Sequence, residues 1–97
     1  MGKLLSIDPV VLRKLRQLPR DHRIAGLLAL CELTDGFGQP HRHSSLGLRK
    51  LGGKLFECRG TLSLRFLFQD RPGELYVSFL GTHDEIKALL RRGAYEK

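Results

Sequence analysis

Apolar positions change period along the chain. Val11, Leu12, Leu15 and Leu18 recur at helical spacing, with Arg13, Lys14, Arg16 and Gln17 on the remaining wheel. Asp8 followed by Pro9 reads as an N-cap with proline at the first helical position. Pro19 ends or kinks that helix, and a second is predicted to begin near residues 19–21. Its expected core positions are Ile24, Leu27, Leu28 and Cys31, with Leu30 and Leu33 as weaker members, and Gly36 and Gly38 close it. Two helices joined by so few residues form an antiparallel hairpin that lends one face of each to a core. Residues 36–53, rich in Gly, Ser, His and basic side chains, read as a loop with room for one short element at Leu46–Leu51.

From Lys54 onward the period is two. Leu55–Arg59, Leu62–Phe68 and Leu75–Leu80 each fit a strand, and Asp70-Arg71-Pro72-Gly73 supplies a turn between the last two. Alternation places Phe56 and Cys58 opposite Glu57 and Arg59. It sets Leu62, Leu64, Phe66 and Phe68 against Ser63, Arg65 and Leu67, and Leu75, Val77 and Phe79 against Tyr76, Ser78 and Leu80. With the apolar sets under the helices, Glu57, Arg59, Arg65, Tyr76 and Ser78 are expected together on the open face. That parity requires an odd-numbered loop after Arg59, at 60–62, pairing Arg59 with Ser63. Thr82 or Asp84 caps a short last helix carrying Ile86, Leu89 and Leu90, which Gly93 stops. The predicted class is α+β: an N-terminal helical hairpin packed on a curled antiparallel sheet, with a short C-terminal helix.

Composition narrows the function classes. Ninety-seven residues fit a single domain, 1–97, and the net charge of +7 points to an anionic partner. Two cysteines make no disulfide framework, and no apolar run approaches the ~20 residues of a membrane span. With no signal-peptide pattern at the start, the expected setting is the cytoplasm. His41, Arg42 and His43 with Cys31 and Cys58 match no usual zinc spacing, and both cysteines fall on expected core faces, so no metal is expected.

Between His41 and Arg65 lie six Lys/Arg residues (Arg42, Arg49, Lys50, Lys54, Arg59 and Arg65) and one acid, Glu57. Such a run is either a solvated surface or a phosphate-binding patch. Arg59 and Arg65 favour the second reading, because they sit inside strands on one face and carry a planar fork suited to phosphate oxygens. Glu57 is either a cross-strand ion-pair partner of Arg59 or Arg65, or a general base beside a phosphate. His83, just after the last strand, is either incidental or a general acid or base. Tyr95 belongs either to a disordered tail or to a base-stacking site.

Residues 45–93, SLGLRKLGGKLFECRGTLSLRFLFQDRPGELYVSFLGTHDEIKALLRRG, resemble the RelE/ParE superfamily of bacterial toxins, most closely its phage-derived, HigB-type branch. The matching series is Lys50-Leu51-Gly52-Gly53 through Arg59, then Leu64-Arg65-Phe66-Leu67-Phe68, then Val77 to His83. The sequence departs from the family where paired lysines after the last strand are replaced by Thr82-His83, and where Leu64 replaces a common aromatic. The resemblance implies a RelE-like fold and a ribosome-dependent mRNA endoribonuclease, or mRNA interferase, without a cofactor, that inhibits translation. It also implies silencing by a cognate antitoxin, in an assembly that binds operator DNA. Under it Glu57 is the base, Arg65 stabilises the transition state, His83 is the acid and Tyr95 orients a base. Arg59 has either a structural or a phosphate-binding part, and Arg42, Arg49, Lys50 and Lys54 of the basic run are the further expected RNA phosphate contacts. The alternatives are a ParE-like gyrase poison without nuclease activity, or a non-catalytic RNA-binding relative.

Overall fold

The computed structural model describes residues 3–93. Its elements run β1 (Leu4–Ile7), α1 (Pro9–Gln17), α2 (Arg20–Gly36), α3 (Pro40–Leu46), β2 (Arg49–Gly52), β3 (Leu55–Arg59), β4 (Arg65–Arg71), β5 (Glu74–Gly81) and α4 (His83–Arg92). The strands form one open sheet in the order β1-β5-β4-β3-β2. It is mixed rather than wholly antiparallel: β1 runs parallel to β5, pairing Leu4 with Glu74 and Ile7 with Val77. Periodicity did not reveal β1, whose four residues are too few to show a pattern. The segment read as a loop contains both α3 and β2.

The helix starts follow local chemistry. The Asp8 side chain accepts from the Val10 amide with Pro9 in the first turn, and the same carboxylate accepts a 2.5 Å hydrogen bond from the Tyr76 hydroxyl on β5. These two bonds, Tyr76 first, hold the Asp8 carboxyl below the usual aspartate range. α4 begins with a complete capping box, Thr82 with Glu85, and ends at Gly93 in the left-handed conformation.

α2 packs with the face opposite to the expected one. Gly26, Leu30, Leu33 and Gly36 are buried. Ile24, Leu27, Leu28 and Cys31 face solvent. Both faces of α2 are apolar, so periodicity does not choose between them. The small residues do: a Cβ on Gly26 would lie 3.0 Å from Leu15 of α1, and one on Gly36 would lie 2.9 Å from Leu46 of α3. Only the glycine-bearing face lets its neighbours approach this closely. The core it joins contains Val11, Leu15, Cys58, Phe66, Phe68, Leu75, Val77 and Leu80.

The second correction concerns β5. Leu67 pairs with Phe79 but Phe68 pairs with Val77, leaving Ser78 as an extra residue in the ladder. This bulge inverts the alternation beyond it. Leu80 therefore points to the helical hairpin, and Phe79 turns to the other face. There Phe79 joins Leu51, Leu55 and Leu67 under Ile86, Leu89 and Leu90 of α4. The face expected to be open is thus partly covered by α4. β4 also starts later than expected, at Arg65, and Leu62 is fully exposed in the connection. The connection after Arg59 is odd-numbered as parity requires, but it spans 60–64 and pairs Arg59 with Arg65. β4 and β5 meet in a tighter turn than expected, with Pro72 and Gly73 (φ +78°) between the paired Arg71 and Glu74.

Leu67→Ala tests the second core. Leu67 is wholly buried, so urea denaturation should show a loss of about 3 kcal/mol. On an uncovered face the same change would cost within about 0.5 kcal/mol.

Candidate nucleic-acid interface

Strand register builds the site as successive rows across the sheet. One row is Arg59, Arg65 and Gly81, from β3, β4 and β5. The next is Arg49, Glu57, Leu67 and Phe79, from β2 to β5. Two arginines therefore stand directly opposite each other on neighbouring strands, an arrangement that repels unless an anion intervenes. Glycines flank them. Gly81 ends the row without a side chain. Gly47 (φ +65°) runs so close to Arg59 that a Cβ would lie 3.1 Å from the Arg59 Cβ and 3.5 Å from its guanidinium carbon.

Glu57 lies beneath this row. It is 1% exposed, and Arg65 Nη1 donates to its Oε2 at 3.0 Å. The Arg65 side chain itself remains 32% exposed, so the guanidinium has one edge held by a buried carboxylate and another directed outward. A buried carboxylate needs a charged partner of this kind. Of the two ion-pair partners the sequence offered for Glu57, the structure has Arg65.

The other candidates are distributed as follows. His83 is exposed at the start of α4, two residues after Gly81, which brings it to the same end of the sheet as Arg65. Arg49, Lys50 and Lys54 are exposed on the β2 edge and its turn into β3. Arg49 is on the Glu57 row, and Lys50 pairs with Phe56, on the other face. Arg42 lies apart, half-buried on α3 against Gly36 of α2. Tyr76 and Ser78 do not join the arginines: Tyr76 pairs with Gln69 two rows away, and Ser78 occupies the bulge. Tyr95 lies outside the described residues. Arg59 also borders a cavity of about 150 Å³ between α2 and the end of β3, lined further by Glu32, Ser45 and Cys58.

Sequence reasoning missed a second polar group, centred on Tyr76. Arg71 lies over the Tyr76 ring at 4.2 Å and pairs with Glu74. Ser6 of β1 donates to the same Glu74 carboxylate, while the hydrogen bond to Asp8 pushes the Tyr76 phenol up. The members come from β1, β4, β5 and the α1 cap, and no spacing along the chain brings them together.

The architecture, with an α1–α2 hairpin on one face of an open five-stranded sheet and α4 on the other, decides the comparison with solved structures. It superposes on the archaeal RelE–RelB complex of Pyrococcus horikoshii with a TM-score of 0.69 and 19% identity, covering 84% of this chain and 96% of that one. The fold is RelE-like. A double mutant of the E. coli toxin RelE in the free state gives a TM-score of 0.64 at 19% identity, covering 95% of this chain and 98% of the other. The toxin–antitoxin complex RelBE2 of Mycobacterium tuberculosis gives 0.54 at 17%, covering 86% and 100%. No protein-family model and no curated protein sequence matches the chain. In this RelE-like frame the described residues contain no helix long and apolar enough to cross a membrane.

The two thiols report the packing around the site. Cys58, beside Glu57 on β3, is 1% exposed, and burial pushes its thiol up to about 12, while Cys31 is exposed. Iodoacetamide at neutral pH should therefore label one cysteine in the native chain and two in denaturant, with mass spectrometry placing the native label on Cys31. Native labelling of Cys58 would show that β3 is not packed as described.

Proposed function

We propose that this chain is the toxin of a toxin–antitoxin pair and that it cleaves mRNA in the ribosome's decoding site. The observation that supports this most is the Arg59–Arg65 row, held from below by buried Glu57, in a RelE-like fold. A phosphodiester bound between these two cross-strand arginines would relieve the repulsion between them. The neighbours' names fit the same reading, since two of the three are toxins solved with a partner or as a toxin–antitoxin complex.

The reaction is attack of an RNA 2′-oxygen on the adjacent phosphorus. A P–O bond forms to the 2′-oxygen and the P–O5′ bond breaks, giving a 2′,3′-cyclic phosphate and a 5′-hydroxyl. Arg65 and Arg59 stabilise the extra negative charge at phosphorus. His83 donates the proton that the leaving 5′-oxygen takes. Glu57 is shut off from solvent and already bonded to Arg65, so its role is to orient the guanidinium rather than to accept the 2′-hydroxyl proton, which passes to water. Arg49, Lys50 and Lys54 extend the cationic surface along the RNA backbone, and Arg42 stands outside it. The cognate antitoxin is expected to be acidic where it covers this surface.

Arg65→Lys is the informative variant. It keeps the charge that Glu57 needs but loses the two-pronged geometry. Arg65→Ala strands the buried carboxylate and costs up to about 3 kcal/mol of stability. In a bacterium induced to express the chain, growth should arrest, and primer extension should map new 5′-hydroxyl ends within translated messages. Arg65→Lys and Arg59→Ala should reduce cleavage about 10²-fold or more while the protein stays folded. His83→Ala should slow cleavage by about 10²-fold. Arrest with intact messages and broken DNA would replace this reading with gyrase poisoning, and cleavage unchanged in Arg65→Lys would remove Arg65 from the reaction.

A further inference from the structure

The outward face of α2 is apolar and uncovered. Ile24, Leu27 and Leu28 are 44%, 45% and 59% exposed, and Cys31 is exposed beside them. At 100° per residue these four positions form a single stripe, centred about 145° from the buried Gly26, Leu30 and Leu33. The stripe ends in opposite charges that lie along the same line: Arg20 at its N-terminal end and Asp35 at its C-terminal end, both exposed. Neither is ion-paired among the described residues.

The order of these residues is symmetric about the midpoint between Leu27 and Leu28. Reversing the helix about that point exchanges Arg20 with Asp35, Ile24 with Cys31, and Leu27 with Leu28. A surface with this property is complementary to itself across a two-fold axis, which is the requirement for an isologous contact. We propose that α2 is a homodimer interface, in which a second copy of this chain packs antiparallel along the stripe. Leu27 and Leu28 of both copies meet at the axis, Ile24 of each packs on Cys31 of the other, and Arg20 of each pairs with Asp35 of the other. An unrelated helix would need apolar contacts but would give no reason for the charges to be arranged as a reversed pair. One helix-to-helix contact is at the small end of specific interfaces, so the dimer exchanges, with a dissociation constant of order micromolar to tens of micromolar. This inference does not rest on the proposed nuclease function, because the stripe faces away from the core that α2 joins, whereas the arginine row lies at the end of the sheet.

Sedimentation equilibrium of the purified 97-residue chain should show concentration-dependent dimerisation. Leu28→Asp should weaken it at least tenfold. Since Leu28 is exposed, the urea midpoint should hardly change, which separates loss of association from loss of fold. Charge reversal gives the more specific test. Arg20→Asp and Asp35→Arg should each weaken the dimer by about tenfold, because the altered contact occurs twice. Combined in one chain, they should restore it. A second test reads the register. Cys31 of one copy should lie about 10 Å along the axis from Cys31 of the other, too far for a disulfide. Mild oxidation should therefore leave the wild type uncrosslinked. In the Ile24→Cys variant it should join the two copies, the introduced thiol of each bonding to Cys31 of the other. A chain that stays monomeric to several hundred micromolar would overturn the proposal, as would a double reversal that fails to recover, or a wild-type Cys31–Cys31 crosslink.

Discussion

The extra residue at Ser78 is the constraint on which the arrangement rests. Before the bulge, Leu75 and Val77 face the helical hairpin; after it, Phe79 faces α4 and Leu80 returns to the hairpin. One eight-residue strand thereby serves two cores on opposite sides of a sheet. Without the bulge, Phe79 would crowd the first core and Leu67 would lose its partner beneath α4. The shift also fixes which β5 residue stands beside Arg65. That residue is Gly81, where a Cβ would fall 2.6 Å from the Phe79 ring and 2.7 Å from Glu85 Oε1. The Phe79 ring and the Glu85 carboxylate therefore fill the space at the end of β5 that a side chain on residue 81 would need, and the chain passes directly into the capping box of α4.

Charge placement in the row follows from what is buried under it. Two facing arginines disfavour the strand pairing that holds them, and a surface carboxylate would offset this only by a fraction of a kcal/mol. Glu57 is different because it is 1% exposed. Its contact with Arg65 is little screened by water, and it fixes the guanidinium rather than leaving it to sample solvent. The cost of burying Glu57 is met only while Arg65 stays in place, so the positions of the two side chains are coupled. The result is a surface cation with the rigidity of a core residue, which is what preorganised binding of an anion requires.

Much of this was legible in the sequence where the signal was local. The Asp8-Pro9 cap, the β3 boundaries and the Gly93 stop depend on residues within a few positions, as does the α4 cap, which the sequence narrows to Thr82 or Asp84 and the structure assigns to Thr82. The common face of Glu57, Arg59 and Arg65 followed from alternation alone, because β3 and the part of β4 that pairs with it are regular. The rest failed for identifiable reasons. The α2 stripe was misplaced because both sides of that helix are apolar, and the packing is decided by Gly26 and Gly36 against Leu15 and Leu46, contacts that periodicity does not encode. Phe79 and Leu80 were exchanged because a bulge shifts parity without a compositional mark, since Ser78 is an ordinary residue for a strand. The burial of Glu57 was not visible because it depends on β2 and α4 closing over the face, and β2 lay in a segment whose glycine and histidine content reads as loop.

The parallel strand at the sheet edge joins the two ends of the fold. Among the described residues β1 pairs with β5 alone, and its neighbour Asp8 is bonded to Tyr76, 68 residues later in the chain. During synthesis the first strand emerges long before the one it pairs with, and loop closure over that separation must precede any gain from the contact. The hairpin α1–α2 and the β3–β4–β5 meander are built from contacts local in sequence, whereas the edge strand ties the beginning of the fold to its final strand. A ribosome-bound fragment lacking β5 has neither the closed edge nor the Gly81 neighbour of Arg65, so the cationic row is completed only when nearly every strand of the domain has been made.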